Sequence, residues 1–372
     1  MVENAEGFLN PEIDFDKCVK CGLCVRSCPV LNKPVLHRNE SPNVYACWHE
    51  DITIRRLSSS GGVFSALAES ILDSGGIVFG AAYDPNMHVR HIGINNKANL
   101  DVLRQSKYVQ SEIGNVFQDV RKALIADLLV LFAGTPCQIS GLHKYLQQDY
   151  SNLVTCDLIC HGVPSPKVFT KYLKWIENST RVRIESLNFR DKEKGWENSR
   201  TVATLHTSIK HPLLGKYNSY YNGFVDGLYL RDCCYKCQFN GLPRQADLTL
   251  GDFWGIGNQI PFAKDHEKRD GISVVLANSD AGQMLISKCQ NICVIERPLQ
   301  EVVEANAPLI SSASRPLSRD SFFKDLPIET WDVLVKRYLR VSFKRHIRIF
   351  VREHLSVNML SFLRNAYKRI RR

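Results

Sequence analysis

Leu128-Leu-Val-Leu-Phe-Ala133-Gly134-Thr-Pro-Cys-Gln138 holds six apolar residues in a row and then stops at Gly-Thr-Pro. A short apolar run without alternation suits a strand covered on both faces, and a helical pattern follows it. Upstream, Ser58-Ser59-Ser60-Gly61-Gly62 leads into VFSALAESIL, whose Phe64, Leu67, Ile71 and Leu72 suit one helix face. Gly75-Gly76 closes that helix, and IVFGAAY (77–83) and VRHIGI (89–94) read as strands. A further helix is predicted from about Ile113 to Ile125. Downstream, VTCDLIC (154–160) reads as another strand. Alternating helices and strands predict an α/β sheet, with functional groups in the loops beyond strand C-termini. Cys137 and Cys160 occupy such positions. The region 184–278 is richer in β patterns, at TVATLH, ADLTLGDFWGI and ISVVLAN.

The 372 residues suffice for two domains, and no internal repeat or low-complexity segment appears. No run of about 18 uncharged apolar residues occurs, so no transmembrane helix is expected. MVENAEGFLNPEID lacks the basic and apolar regions of a signal peptide. The expected location is therefore cytoplasmic, where thiols stay reduced. Thirteen cysteines then call for metal or cluster ligation rather than disulfides.

Cys18-Val-Lys-Cys21-Gly-Leu-Cys24-Val-Arg-Ser-Cys28-Pro29 fits the bacterial ferredoxin run C-x2-C-x2-C-x3-C-P without a mismatch. Two-residue spacers let a tight loop aim its sulfurs at one cubane, and Gly22 permits close backbone approach. The lead-in EGFLNPEIDFDKC resembles the linker between the two motifs of a two-cluster ferredoxin, so residues 1–42 read as half a unit. Cys28 closes this cluster, or a distant cysteine does, or the unit begins upstream. A structural zinc site is the competing reading. A second group, Cys233, Cys234 and Cys237, contains a C-x2-C pair that gains weight beside Cys137 and Cys160.

The segments SSSGGVFSALA, SKYVQS (106–111), GTPCQISGL (134–142), DLICHGVPSP (157–166), NFRDKEKGW (188–196), CCYKCQF (233–239) and ADLTLGDFWGI (246–256) together resemble the coenzyme F420 hydrogenase/dehydrogenase beta-subunit family. The resemblance runs from about residue 15 to about 280. It implies an FAD-containing iron–sulfur protein moving electrons between clusters, flavin and a partner protein or small-molecule substrate. GTPCQ and ICHG with a basic tail resemble the members associated with polysaccharide biosynthesis. The family's internal cluster maps to Cys137, Cys160, Cys234 and Cys237, with Cys233 able to replace Cys234. The residues themselves do not specify coenzyme F420.

The expected organisation is a ferredoxin-like 4Fe-4S module at 1–42, the family's N-terminal α/β domain at 43–150, its C-terminal domain at 151–325, and a basic helical tail at 326–372. Ser58, Ser59, Ser60, Gly61 and Gly62 before a helix could offer backbone N–H groups to a flavin phosphate, and an ordinary N-cap is the bland alternative. Ser106, Lys107, Tyr108 and Asp252 are further flavin candidates. His161 is a candidate proton shuttle, its ordinary pKa being near neutrality, or a hydrogen-bonded structural histidine. Cys47, Cys156, Cys289 and Cys293 read as small buried hydrophobes.

The formal charge of +10 is a property of one end. From Trp331 to Arg372 there are twelve Lys/Arg and two Asp/Glu, and the other residues balance. No nucleic-acid partner is therefore expected of the body. Leu334, Tyr338, Leu339, Phe343, Ile347, Phe350, Val351 and Leu355 form a helical stripe within 331–372. Such a basic amphipathic helix suits an anionic membrane surface, or packs its stripe on the body. The function expected is an iron–sulfur flavoprotein oxidoreductase. The alternatives are an electron-transfer subunit without its own substrate and a zinc-stabilised scaffold.

Overall fold

In the computed structural model, which describes residues 1–206 and 209–339, Val130, Leu131 and Phe132 are wholly enclosed. Leu131 packs with Leu67, Val78 and Val154 on one side of a sheet. Val130 and Phe132 pack with Val120, Ile139 and Leu142 on the other. Helices cover both faces here, which is why the sequence shows no alternation.

The chain opens with two short paired strands, β1 (Val2–Glu3) and β2 (Leu9–Asn10), and one helical turn, α1 (Leu23–Arg26), inside the cysteine run. Then come β3 (Asn43–His49), α2 (Ile52–Leu57), α3 (Val63–Asp73), β4 (Ile77–Tyr83) and β5 (Val89–Ile94). Next are α4 (Val116–Ile125), β6 (Val130–Ala133), α5 (Pro136–Leu146), β7 (Leu153–Leu158) and α6 (Pro166–Thr180). A separate antiparallel sheet holds β8 (Ile184–Asp191), β9 (Arg200–Leu205) and β10 (Lys210–Pro212). The chain continues with α7 (Ser219–Val225), β11 (Leu248–Asp252), β12 (Ser273–Ala277), α8 (Asp280–Lys288), β13 (Ile292–Glu296), α9 (Leu299–Ala305), α10 (Arg319–Asp325) and α11 (Trp331–Tyr338).

The main sheet has eight strands in the order β13-β3-β12-β11-β7-β6-β4-β5. Its centre, β11-β7-β6-β4, is parallel, and both flanks are antiparallel. The four parallel strands end on the same edge. They deliver Tyr83, the Gly134–Cys137 turn, Cys160 and Asp252 there, the arrangement in which open α/β sheets carry their sites.

β3 is threaded between β12 and β13, so residues 43–49 belong to the far half of the sheet. Strands on either side of residue 150 are neighbours: β6 and β7 are parallel partners across the division expected from the sequence. The second sheet packs Leu187 and Phe189 against Val168, Tyr172, Tyr220 and Phe322.

The basic tail divides. α11 docks on the body, with Trp331 and Leu334 enclosed in the same cluster and the Trp331 indole donating to Ser219 Oγ at 3.0 Å. The remainder of the stripe, from Phe343 onward, lies outside the described residues.

Candidate metal and cofactor centre

Thr135 caps α5, and the capping box is complete: Gln138 answers the Thr135 backbone, and Pro136 fills the first turn. Thr, Pro and Gln in GTPCQ are thus explained by the helix start, which leaves Cys137 unaccounted for by local structure. The cap aims the first turn of α5, and with it Cys137, past the end of β6. Thr135 Oγ1 lies 3.2 Å from the Cys137 sulfur.

Cys160 arrives from β7, held where Ile159 N–H donates to the Leu250 carbonyl at 2.9 Å. The loop beyond it pairs with the segment before the second cysteine group. Arg231 N–H donates to the Val163 carbonyl at 2.8 Å, and Pro164 bridges Leu230. Gly162 at φ 141° lies so close to Leu230 that a Cβ would stand 2.6 Å from its methyl group. This pairing brings the Asp232–Lys236 turn and Cys237 against Cys160.

The thiols of Cys137, Cys160, Cys234 and Cys237 act on one another. Burial first, and then the Cys137 and Cys237 sulfurs, push the Cys160 pKa up to about 12. Desolvation and then Cys237 and Cys233 raise Cys137, although that residue keeps an open edge to solvent. Cys234 is raised by its hydrogen bond with Cys233, by burial and by Cys160, while the same hydrogen bond lowers Cys233. Cys137, Cys160 and Cys234, from three separate segments, therefore resist ionising. A cationic core would reverse that penalty, because a coordinating thiol is deprotonated outright. The Phe239 N–H already donates to Cys237 Sγ at 3.4 Å, as amides do toward cluster-bound sulfur. The donor set fits an iron–sulfur cluster. A cubane meets its thiolates on separate irons, whereas among the described residues no group of three or more His, Cys, Asp or Glu is placed to hold a metal ion.

In the N-terminal run, Lys20 and Gly22 take left-handed conformations at φ 56° and 69°. The Gly22 carbonyl accepts from Val25 and Arg26, giving the one turn of α1. Cys21 and Cys24 are exposed, and Cys18 and Cys28 half-buried. The module rests on the body near the second cysteine group. Lys33 Nζ donates to the Gln238 carbonyl at 2.8 Å and lies 5.9 Å from the Phe239 ring centre. Further along, Arg38 pairs with Asp247 at 3.2 Å. At the start of the chain, Arg319 clamps both oxygens of Glu6 at 2.8 and 2.6 Å.

The two candidate flavin segments meet. Ser59 Oγ accepts from the Ser106 N–H at 2.8 Å. The hydroxyls, however, serve the fold: Ser58 donates to the Ile54 carbonyl and Ser60 to the Ile272 carbonyl. Gly61 is packed so tightly that a Cβ would stand 2.4 Å from the Cys47 carbonyl. What remains is Gly62, left-handed at φ 85°, which opens the 11-residue α3 without a side-chain cap, so the first amides of the helix have no capping side chain. Lys107, its pKa pushed down to about 7 by burial, donates to the carbonyls of Val102 and Arg104. Tyr108 stacks on Phe224 at 4.4 Å.

Asp252 is engaged within the protein. Arg190 pairs with it at 3.1 Å and the Trp196 indole donates to it at 2.7 Å, while Trp196 stacks on Trp254 at 4.7 Å. Arg190 Nε is enclosed and has no hydrogen-bond partner, an opening that a polar cofactor group could fill. His161 Nε2 lies 3.2 Å from the Phe224 carbonyl with its ring edge on to Phe224, a structural tie. Cys47 and Cys156 are buried as expected of small hydrophobes, and Cys289 and Cys293 are half-buried.

The roles of several residues here are not marked by the sequence. Lys192 spends three donors on the carbonyls of Arg55, Ser60 and Asp270. Arg244 is buried and donates to the Leu158 carbonyl, two residues before Cys160. A charged residue inside an otherwise apolar or Gly/Pro-rich stretch, as in GLPRQADLTL, is the clue that could have found it.

Residues 127–300 match the family model for the C terminus of the coenzyme F420 hydrogenase/dehydrogenase beta subunit. That stretch of the chain is similar to the family's C-terminal domain. Residues 11–31 match a 4Fe-4S binding domain, which accounts for the N-terminal run. A search of curated proteins finds no match. Among solved structures, a chain of the xenon-derivatised F420-reducing [NiFe] hydrogenase complex from Methanosarcina barkeri aligns over 81% of this chain and 94% of its own. Identity is 17% and the TM-score 0.48, so the assignment stands on the family models. Similarity to the beta-subunit family over 127–300, together with the 4Fe-4S binding domain, supports an iron–sulfur protein of the electron-transferring oxidoreductase type. No helix among the described residues is long and apolar enough to cross a membrane.

Proposed function

We propose that the chain is a two-cluster iron–sulfur flavoprotein oxidoreductase. Cys18, Cys21, Cys24 and Cys28 would hold one [4Fe–4S] cluster, and Cys137, Cys160, Cys234 and Cys237 a second. FAD would bind at the α3 N-terminus and Ser106–Tyr108, beside Arg190. When bound, the clusters supply one-electron transfer and the flavin couples it to two-electron chemistry. The protein's part is to hold and space these groups. Lys33, five positions after Cys28, donates to the carbonyl of Gln238, the neighbour of Cys237, and ties the N-terminal module to the second cysteine group. The observation that supports the reading is that the Cys137, Cys160 and Cys233–Cys237 thiols, from three segments, stand near enough to influence one another's charge.

The partner is a redox protein or a small oxidisable or reducible molecule, in a polysaccharide-biosynthesis setting if the resemblance of GTPCQ and ICHG holds. One observation favours the electron-transfer subunit instead: the Ser58–Ser60 hydroxyls are already used by the fold. A single experiment separates the two. Anaerobically purified protein is denatured and the supernatant examined for FAD, while Cys137→Ser, Cys160→Ser and Cys237→Ser are assayed for iron. Released FAD with about half the iron lost in each variant supports the proposal. Intact clusters that take up no flavin on reconstitution favour the electron-transfer subunit, and unchanged iron in all three variants removes the second cluster.

A further inference from the structure

Arg244 is 1% exposed and Asp157 is fully enclosed, and they form an ion pair at 3.0 Å. Arg244 also donates to the Leu158 carbonyl at 2.9 Å and to Thr249 Oγ1 at 3.2 Å. Asp157 accepts from Thr249 Oγ1 at 2.6 Å, and its second oxygen has no hydrogen-bond partner. A buried pair of this kind is a weak source of stability, since an apolar replacement of similar volume is often as good. Leaving a carboxylate oxygen unpartnered makes it weaker still. Its location supplies a different rationale. Asp157 and Leu158 are the last residues of β7, and Cys160 follows two positions later. Thr249 lies opposite Asp157 in the register with β11. The same strand ends that deliver Cys160 therefore fix the guanidinium beneath it. The guanidinium is fixed at the Leu158 carbonyl, two residues before Cys160, so its charge stands at the base of the loop that carries that sulfur.

We propose that Arg244 is a positioning residue that sets the reduction potential of the internal cluster, with Asp157 moderating its charge. The inference rests on the cluster assignment to Cys137, Cys160, Cys234 and Cys237. Reduction adds an electron to the cluster. A fixed positive charge in a low-dielectric setting favours that more negative state and raises the midpoint, and the buried carboxylate opposes it.

The test is an EPR-monitored redox titration of the anaerobic full-length protein and of R244Q, R244K and D157N, each with its iron content determined. R244Q should lower the internal midpoint by roughly tenfold in the one-electron equilibrium, about 59 mV. D157N should raise it, R244K should stay near the parent, and the N-terminal cluster should not move in any variant. Opposite signs for the two partners are what a merely structural role would not give. Unmoved midpoints in iron-replete R244Q and D157N, or shifts of the same sign, overturn the proposal. If R244Q does not assemble, D157N decides alone: an upward shift supports the role, and an unmoved or lowered midpoint overturns it. Failure of the cluster assignment reads differently, as parent protein with about four irons instead of about eight.

Discussion

Replacing Glu6 by Gln should loosen the N-terminal segment from the body without disturbing the central sheet. Arg319 is 1% exposed and grips Glu6 through two hydrogen bonds of 2.8 and 2.6 Å. It also donates to the Leu230 carbonyl at 2.9 Å and stacks on Phe323 at 4.6 Å. Removing one partner of a fully buried pair costs about 3–5 kcal/mol. Glu6 retains 27% of its exposure and Arg319 keeps its other contacts, so the effect here is smaller, about 2 kcal/mol. That corresponds to roughly a thirtyfold rise in the population of the undocked segment, at about 1.4 kcal/mol per factor of ten. Amide hydrogen exchange reads it locally. The Phe8 amide, bonded to Asn4 Oδ1 at 2.9 Å, should exchange about thirtyfold faster, and the amides of β6 should not change. An acceleration below about threefold, or an equal acceleration in β6, would refute the reasoning.

Burial holds the His91 pKa down at about 4, with Ser111 Oγ at 2.7 Å and the Ala133 carbonyl at 3.1 Å on its ring nitrogens. A histidine with a lowered folded pKa contributes stability above its unfolded pKa and loses it as pH falls toward the folded one. Between pH 7.5 and 5.5 the loss should be about 1 kcal/mol, and His91→Gln should flatten it in urea titrations. Equal slopes for parent and variant would remove His91 as the source. Substitution of Trp331 or Leu334 should destabilise the body by about 2–5 kcal/mol, since both are enclosed, whereas removal of residues 340–372 should leave iron content unchanged. That same truncation should abolish sedimentation with anionic liposomes at low salt, each Lys or Arg contributing about 1 kcal/mol near such a surface. An intact chain that ignores liposomes contradicts this.

The elements most legible in the sequence were those whose neighbours are local. LLVLFAG read as a two-sided strand because α4 and α5, its neighbours in sequence, cover one face and α3 covers the other, and Gly75-Gly76 marked the end of α3 because a left-handed residue needs no partner. The position of β3 between β12 and β13 was not legible, because antiparallel partners about 230 and 250 residues away leave no periodic mark. The site divides in the same way. Cysteine spacing announced the N-terminal run, while Cys137 and Cys160 were found through strand-end logic and resemblance. Arg244, Arg190 and Lys192 stayed hidden, since a buried charge looks like a surface charge until its partners are known. The Ser58–Ser60 hydroxyls pointed to an anion in the sequence, and the fold spends them on its own carbonyls and on Ser106.

The most direct test of the account is the metal itself. Iron, acid-labile sulfide and zinc are measured on full-length protein purified without oxygen, with EPR spectra of the reduced sample. Two [4Fe–4S] clusters predict about eight irons and eight sulfides per chain and two overlapping reduced-cluster signals. Stoichiometric zinc without iron or sulfide would contradict the account at its base.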